Sequence, residues 1–224
     1  MVTERELAEI TRTQIELQNR FREVPNEGKI ITYLGKDFIV YRGVFWPYLD
    51  SMPMVENYRI AQGESVLDVC TGSGVLAIFS AYKGAGKVVA LDINPDAVKT
   101  ARENAVRHGL SSTIEVHLSD MFGALSREET FDVITANLPY RDKEASDPVE
   151  ASMWDNGLST HRKFFQSVES HLNQNGRIYL SHANYGAVLE MKAMAAARGF
   201  KVQLIGEKPI ENNPRIFYAF ELKK

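Results

Sequence analysis

The sequence predicts an α/β fold: a seven-stranded, mostly parallel, doubly wound sheet ending in an antiparallel hairpin, behind a short helix-plus-hairpin prefix. Three observations predict it. From Glu64 onward, short apolar runs alternate with helix-period stretches, and such alternation demands parallel strands joined by right-handed crossovers. The first of these runs, Val66-Leu-Asp-Val69, leads into Gly72-Ser-Gly74, a turn that opens a helix. The last two runs are joined by Lys208-Pro-Ile-Glu-Asn-Asn-Pro214, which holds no helix, so those strands pair antiparallel at one edge.

Taken in order, the chain begins with a helix running to about Arg22. Thr3 and Glu6 form its capping box, and Leu7, Ile10, Leu17 and Phe21 share a face, with Gln14 as a gap in the apolar stripe. Pro25-Asn-Glu-Gly28 ends it. Residues 30–33 and 38–41 read as two strands around the turn Leu34-Gly-Lys-Asp37. A loop through Phe45, Trp46 and Pro47 follows, and Ser51 or Pro53 opens a helix to about Tyr58. These residues, 1–60, make a prefix too thin for a large core of its own, and residues 61–224 make the α/β domain.

In that domain strands are expected at 65–70, 87–92, 113–118, 131–136, 177–182, 201–207 and 215–222. Helices are expected at 74–83, 95–108, 157–172 and 186–198, with a weaker one at 121–127. Asn94 caps the second of these, with Pro95 in its first position. Gly109 and Gly199 stand where helix-terminating glycines belong.

The 224 residues are 44% hydrophobic and 25% charged, enough for one α/β domain with an appendage. A net charge of −3 gives no global field toward nucleic acid or an anionic membrane, though a local basic groove stays possible. No apolar run approaches the roughly 18–20 residues of a membrane span. The N-terminus lacks a signal-peptide pattern. One cysteine excludes an intrachain disulfide and fits a reducing compartment. We therefore expect a soluble, cytoplasmic protein. His108, His117, His161, His171 and His182 show no metal-ligand spacing, so no metal site is expected. Asp142, Glu144, Asp147, Glu150 and Asp155 crowd one loop, which reads either as a solvated lid or as a segment that repels phosphate-rich substrates or orders on binding.

Strand, glycine turn and helix make a cofactor cradle. Gly72 permits the turn, Gly74 lets a ligand approach bare backbone, and the free N–H groups at the helix start face the ligand. The pattern Gly72-x-Gly74-x-x-Ala77 satisfies a dinucleotide fingerprint as well as a nucleoside-binding loop. Asp92, ending the next strand, offers a carboxylate to ribose hydroxyls under both readings. Asn137-Leu-Pro-Tyr140 decides between them. It follows the strand at 131–136, at the carboxyl edge where open α/β sheets bind ligands. An amide oxygen, a carbonyl held outward before a proline and an aromatic face suit a planar –NH2 group with a π system behind it. An exocyclic base amine and a glutamine side-chain amide both answer that description.

Val66-Leu-Asp-Val-Cys-Thr-Gly-Ser-Gly74, Leu91-Asp-Ile-Asn94 and Asn137-Leu-Pro-Tyr140 resemble the motifs of class I S-adenosylmethionine-dependent methyltransferases. More narrowly, they resemble the branch whose fourth motif reads Asn-Pro-Pro-Tyr, which methylates planar nitrogens in nucleic acids and in the glutamine of release factors. Asn156-Gly-Leu-x-x-x-Arg162 is similar to a segment of the release-factor glutamine methyltransferases, the HemK-like group. The resemblance implies that Asp68 and the backbone of Cys70, Thr71, Gly72 and Gly74 hold the amino-acid end of S-adenosylmethionine. It implies Asp92 on the ribose, Ile93 on the adenine, and Asp120 and Met121 at the adenine amine and ring. Asn137, the Leu138 carbonyl set by Pro139, and Tyr140 would hold the acceptor.

Cys70 and Leu138 depart from the family's usual Gly and Pro, the prefix is shorter than the family's N-terminal domain, and Ser181-His182 stand where a Glu is usual. The acceptor is therefore a protein glutamine, an RNA or DNA base, or a small molecule. The rivals are an NAD-dependent oxidoreductase using the same cradle and a non-catalytic scaffold. The first lacks a second catalytic segment and the second predicts decayed motifs, whereas both motifs are intact.

Overall fold

The computed structural model describes residues 2–224. Its centre is a seven-stranded sheet of β3 (Ser65–Val69), β4 (Lys87–Asp92), β5 (Ile114–Leu118), β6 (Phe131–Ala136), β7 (Leu172–Ala183), β8 (Lys201–Pro209) and β9 (Ile216–Lys223). The spatial order is β5-β4-β3-β6-β7-β9-β8. The first five strands in that row are parallel, and β9 runs antiparallel to both β7 and β8. The chain steps outward from β3 to β5, then returns to lay β6 on the other side of β3. Between β3 and β6 the winding reverses, and a crevice opens there at the carboxyl ends.

The burial of β3 explains its central place. Val66, Leu67, Asp68 and Val69 are all fully buried, and alternate residues join different cores. Val66 packs with Val75, Ile78, Val88 and Val133 on one face. Leu67 and Val69 pack with Val89, Leu91, Ile134 and Phe164 on the other. Each such aliphatic side chain contributes about 1.5–3 kcal/mol on burial, so the sheet is held from both sides. The covering helices are α3 (Val75–Tyr82), α4 (Pro95–Arg107), α6 (Ser159–Ser167) and α7 (Val188–Ala197). Asn94 caps α4 by accepting from Asp96 N–H, with Pro95 at its first turn.

Ahead of the sheet lie α1 (Glu4–Arg22), the hairpin β1 (Lys29–Tyr33) and β2 (Lys36–Val40), and α2 (Met52–Asn57). The capping box of Thr3 and Glu6 is formed. Leu17 and Phe21 of α1 pack against Val40, Trp46 and Val149. Tyr33 and Phe38 of the hairpin join the core of the main sheet. Asn104 of α4 exchanges hydrogen bonds with the backbone of Ile39 and also donates to Ser73 O, 2.9 Å away, so one side chain ties the hairpin to the glycine turn.

Several local expectations are corrected. The β1–β2 turn is two residues, Leu34 and Gly35, both at positive φ, the geometry that closes a tight hairpin. No helix forms at 121–127. Met121 is left-handed with φ 50°, and the Ser119 side chain bonds Met121 O and Ala124 N instead. The helix expected over 157–172 is broken at its start by Gly157 and Leu158, both left-handed, and yields at its end to β7, which begins at Leu172 rather than 177. The acidic loop is folded. It carries the short helix α5 (Pro148–Ala151), and Arg22 of α1 lies 2.6 Å from Asp147.

Candidate active site

A cavity of about 640 Å³ occupies the crevice between β3 and β6, within the range of small-molecule sites. Four loops at the carboxyl edge build its floor. Cys70, Thr71, Gly72 and Ser73 follow β3, Asp92 and Ile93 end β4, Asp120 and Met121 follow β5, and Asn137-Leu-Pro-Tyr140 follows β6. Phe45, Trp46 and Asp50 from the prefix and residues 145–148 and 151–153 complete the wall.

The turn after β3 is left-handed at Cys70 (φ 58°), Gly72 (φ 55°) and Gly74 (φ 84°). For Cys70 this costs on the order of 1 kcal/mol, a strain of the kind that gathers at ligand sites. Burial, with Asp92 and Asp68 nearby, holds its thiol far above the usual range, so it is a wall and not a nucleophile. Asp92 braces the turn. Its Oδ2 accepts from Gly72 N–H at 2.8 Å and its Oδ1 from Asn94 N–H at 2.9 Å, which leaves lone pairs on both oxygens for a ligand. Burial raises its carboxyl, against those backbone bonds. Beside it Ile93 is 64% exposed, an apolar side chain displayed at the cavity rim. Asp120 pairs with Lys163 at 2.7 Å, and both are half exposed.

Two expected residues are not in the cavity wall. Asp68 is fully buried beneath the turn, where its carboxylate accepts from Thr71 Oγ1 at 2.6 Å and Thr135 Oγ1 at 2.7 Å. Thr71, which bonds it, lines the cavity. Gly74 turns its bare side to α4, where a Cβ would stand 3.2 Å from Ala101 Cα. The missing side chain admits a helix, not a ligand.

The fourth motif ends β6 inside the cavity. Asn137 donates from Nδ2 to Asp50 Oδ2 at 2.7 Å, while its Oδ1 is shielded from solvent and has no partner. Tyr140 is nearly buried. Its ring lies 5.2 Å from that of His182 and its hydroxyl 3.2 Å from Tyr185. His182 is fully buried outside the cavity wall, and burial, with His161 nearby, lowers it to about 3. It is a neutral brace behind Tyr140. His161 is buried, and its Nδ1 faces Asp155 Oδ2 at 3.0 Å.

Two wall residues escaped the reading of the sequence. Asp50 is 2% exposed and pushed up to about 6, chiefly by burial, while the Asn137 bond opposes the rise. Nothing in the linear sequence pairs it with Asn137, 87 residues away. Gln14 is the gap in the α1 stripe, and that gap was the signal. It is 2% exposed, and its Oε1 accepts from Arg141 Nη1 at 2.5 Å and Trp154 Nε1 at 3.2 Å. Arg141 also donates to Thr11 at 2.7 Å. The residue just past the fourth motif is thus fastened to the first helix. Among the described residues no three His, Cys, Asp or Glu side chains gather as a metal site, and no helix is long and apolar enough to cross a membrane.

The model of the ribosomal protein L11 methyltransferase family matches residues 50–139. A putative protein N5-glutamine methyltransferase of Methanocaldococcus jannaschii is 28% identical over 181 residues, covering 78% of this chain and 90% of that protein. A release factor glutamine methyltransferase of Cereibacter sphaeroides is 31% identical over 160 residues, covering 66% of this chain and 57% of that protein. Among solved structures, a 16S rRNA N2 methyltransferase of T. thermophilus, in complex with AdoMet and guanosine, superposes with a TM-score of 0.63 at 19% identity. The match covers 88% of this chain and 50% of that one, and shows a common fold. The chain therefore spans about half of the last two proteins, 57% and 50% of their lengths.

Proposed function

We propose that this chain, a class I S-adenosylmethionine-dependent methyltransferase of the glutamine-methyltransferase-like branch, transfers its methyl group to the side-chain amide of a glutamine in a protein. One observation carries the reading. At the end of the cavity nearest β6, the Asn137 amide is anchored through its nitrogen, and its buried oxygen is left without a donor. A planar –NH2 group supplies that donor, and the similarity to named glutamine methyltransferases selects the primary amide among such groups.

The cavity fits S-adenosylmethionine. Asp92 retains lone pairs for two ribose hydroxyls, and Ile93 offers an exposed apolar face to the adenine, with Met121 also lining the cavity. The backbone from Cys70 to Gly72 and the Thr71 hydroxyl, held by Asp68, receive the amino-acid end. Asp120 accepts from the adenine amine in exchange for its exposed pairing with Lys163. When bound, the cofactor supplies a methyl group already activated on a positively charged sulfur.

The chain's own residues align the acceptor. Asn137 Oδ1 and the Leu138 carbonyl, set by Pro139, accept the two N–H bonds of the acceptor, and the Tyr140 ring flanks its plane. An amide lone pair is delocalised, so the nitrogen becomes a nucleophile only as it pyramidalises. It then gains positive charge, and two oxygen acceptors hold it more strongly than they hold the ground state. Alignment supplies the rest of the acceleration. Phe45, Trp46 and Met153 give the cavity wall an apolar surface. Asp147 lines the cavity, and it and Glu150 on the folded acidic loop both stand within reach of Arg22.

The test is transfer of radiolabelled methyl from S-adenosylmethionine into total protein and total RNA by the purified chain, with Asn137→Ala as control. Label is expected in protein, released as N-methylated glutamine, and lost at least a hundredfold in the variant. Label in RNA alone, or undiminished label with Asn137→Ala, overturns the reading.

A further inference from the structure

Resting on that reading, we propose that Asp50 is a positioning residue for the reaction: its carboxylate fixes which end of the Asn137 amide faces the acceptor and places a negative charge behind that amide, two hydrogen bonds removed from the nitrogen being methylated.

The argument begins with the ambiguity of an asparagine. Turned one way, its side chain presents an acceptor; turned the other, it presents two donors, which would repel a target –NH2. Only a neighbour can decide. Here the neighbour is a carboxylate, which accepts and never donates when ionised, so Nδ2 is held at Asp50 Oδ2 and Oδ1 is left for the acceptor. Asp50 stands on a loop between β2 and α2, far from the fourth motif in the chain, and lines the same cavity.

Its charge has no other visible use. Asp50 takes part in none of the ion pairs among the described residues. The titratable groups that face it are the hydroxyls of Tyr33, Tyr140 and Tyr185, all neutral at ordinary pH. Its Oδ1 is also buried and unpartnered. A buried carboxylate paired with no cation is destabilising, and the Asn137 amide and the backbone N–H groups of Ser51 and Asp50 only partly offset its burial. During transfer the nitrogen–carbon bond forms, the carbon–sulfur bond breaks and its electron pair stays on sulfur. Positive charge thereby passes to the nitrogen until one N–H proton leaves to water. A fixed anion behind Asn137 polarises its amide and favours that charge where it develops.

The variants Asp50→Asn and Asp50→Ala separate orientation from charge. Asp50→Asn keeps an oxygen for Asn137 Nδ2 and removes the charge; Asp50→Ala removes both. With a glutamine-containing acceptor, Asp50→Asn is expected to lower kcat about ten- to a hundredfold. KM and the affinity for S-adenosylhomocysteine stay within about twofold of the parent. In the parent, kcat falls below about pH 6 as Asp50 takes up a proton, and this acid limb disappears in Asp50→Asn. A merely structural role would move neither the limb nor the split between kcat and KM. Crystal structures with bound S-adenosylhomocysteine give a second measurement that needs no acceptor. Asn137 is expected in one orientation in the parent and turned or disordered in Asp50→Ala. An unchanged Asn137 in Asp50→Ala overturns the proposal, as does a parental kcat with a retained acid limb in Asp50→Asn. Failure of the parent to methylate any glutamine refutes the proposed acceptor instead, and leaves the crystallographic comparison to decide the role of Asp50.

Discussion

Replacing Asp68 by Asn is expected to change how stability depends on pH. Asp68 is fully buried in the middle strand and faces two threonine hydroxyls. Burial raises its carboxyl from an ordinary 3.8 to about 6, and the bonds from Thr71 and Thr135 only partly oppose the rise. The folded chain therefore holds this proton to higher pH than the unfolded chain does. Between about pH 4 and 6 the fold binds more protons than the coil, so stability falls as pH rises. The contribution is whole below the unfolded value and gone above the folded one. At 1.36 kcal/mol per pH unit, the gap between 3.8 and about 6 amounts to at most about 3 kcal/mol. Asn has the same shape and does not titrate. The other carboxylates, including those held low by partners such as Glu64 beside Arg177, titrate in both proteins and cancel in the difference. For a domain of this size about 3 kcal/mol corresponds to roughly 6–12 °C in Tm. Calorimetry of parent and Asp68→Asn at pH 4, 5, 6 and 7 should show the parent losing ground to the variant by that amount across the series. A Tm difference constant within about 2 °C from pH 4 to 7 refutes the reasoning.

Two further outcomes follow from the cavity. Ile93→Asp, at a side chain 64% exposed, is expected to leave stability within about 0.5 kcal/mol while weakening S-adenosylhomocysteine at least tenfold by titration calorimetry; unchanged affinity would remove Ile93 from the adenine site. Gly74→Ala forces a side chain onto a left-handed residue and to 3.2 Å from Ala101, and is expected to cost about 2–4 kcal/mol in urea unfolding, with a loss under 1 kcal/mol counting against a tight α3–α4 contact.

The inner parallel strands were legible because they are buried on both faces and so read as short, mostly apolar runs. Val66–Val69, Val88–Leu91 and Val133–Ala136 all follow that rule. The floor of the site was legible for a related reason, since the residues that follow such strands must lie at the carboxyl edge. The region 157–172 was misjudged because its helical period is sound but Leu158 adopts a left-handed turn that its type does not announce. The reverse error occurred at Gly74, where the residue type was right and the neighbour it admits was not visible. Asp50 and Gln14 lay beyond reach for a deeper reason. Each matters through a partner more than 80 residues away, and no local pattern carries that information. Asp50 is simply an acid in a loop until the fold sets it beside Asn137.

The placement of β9 between β7 and β8 has a bearing on how the molecule comes into being. Of the seven strands, the one synthesised last is an inner one. Until residues 216–223 have left the ribosome, β8 has nothing to pair with, and β7 presents an open hydrogen-bonding edge that other nascent chains could join. A nick or frameshift that removes those eight residues deletes no dispensable tail; it cuts the sheet in two and strands β8 from the rest.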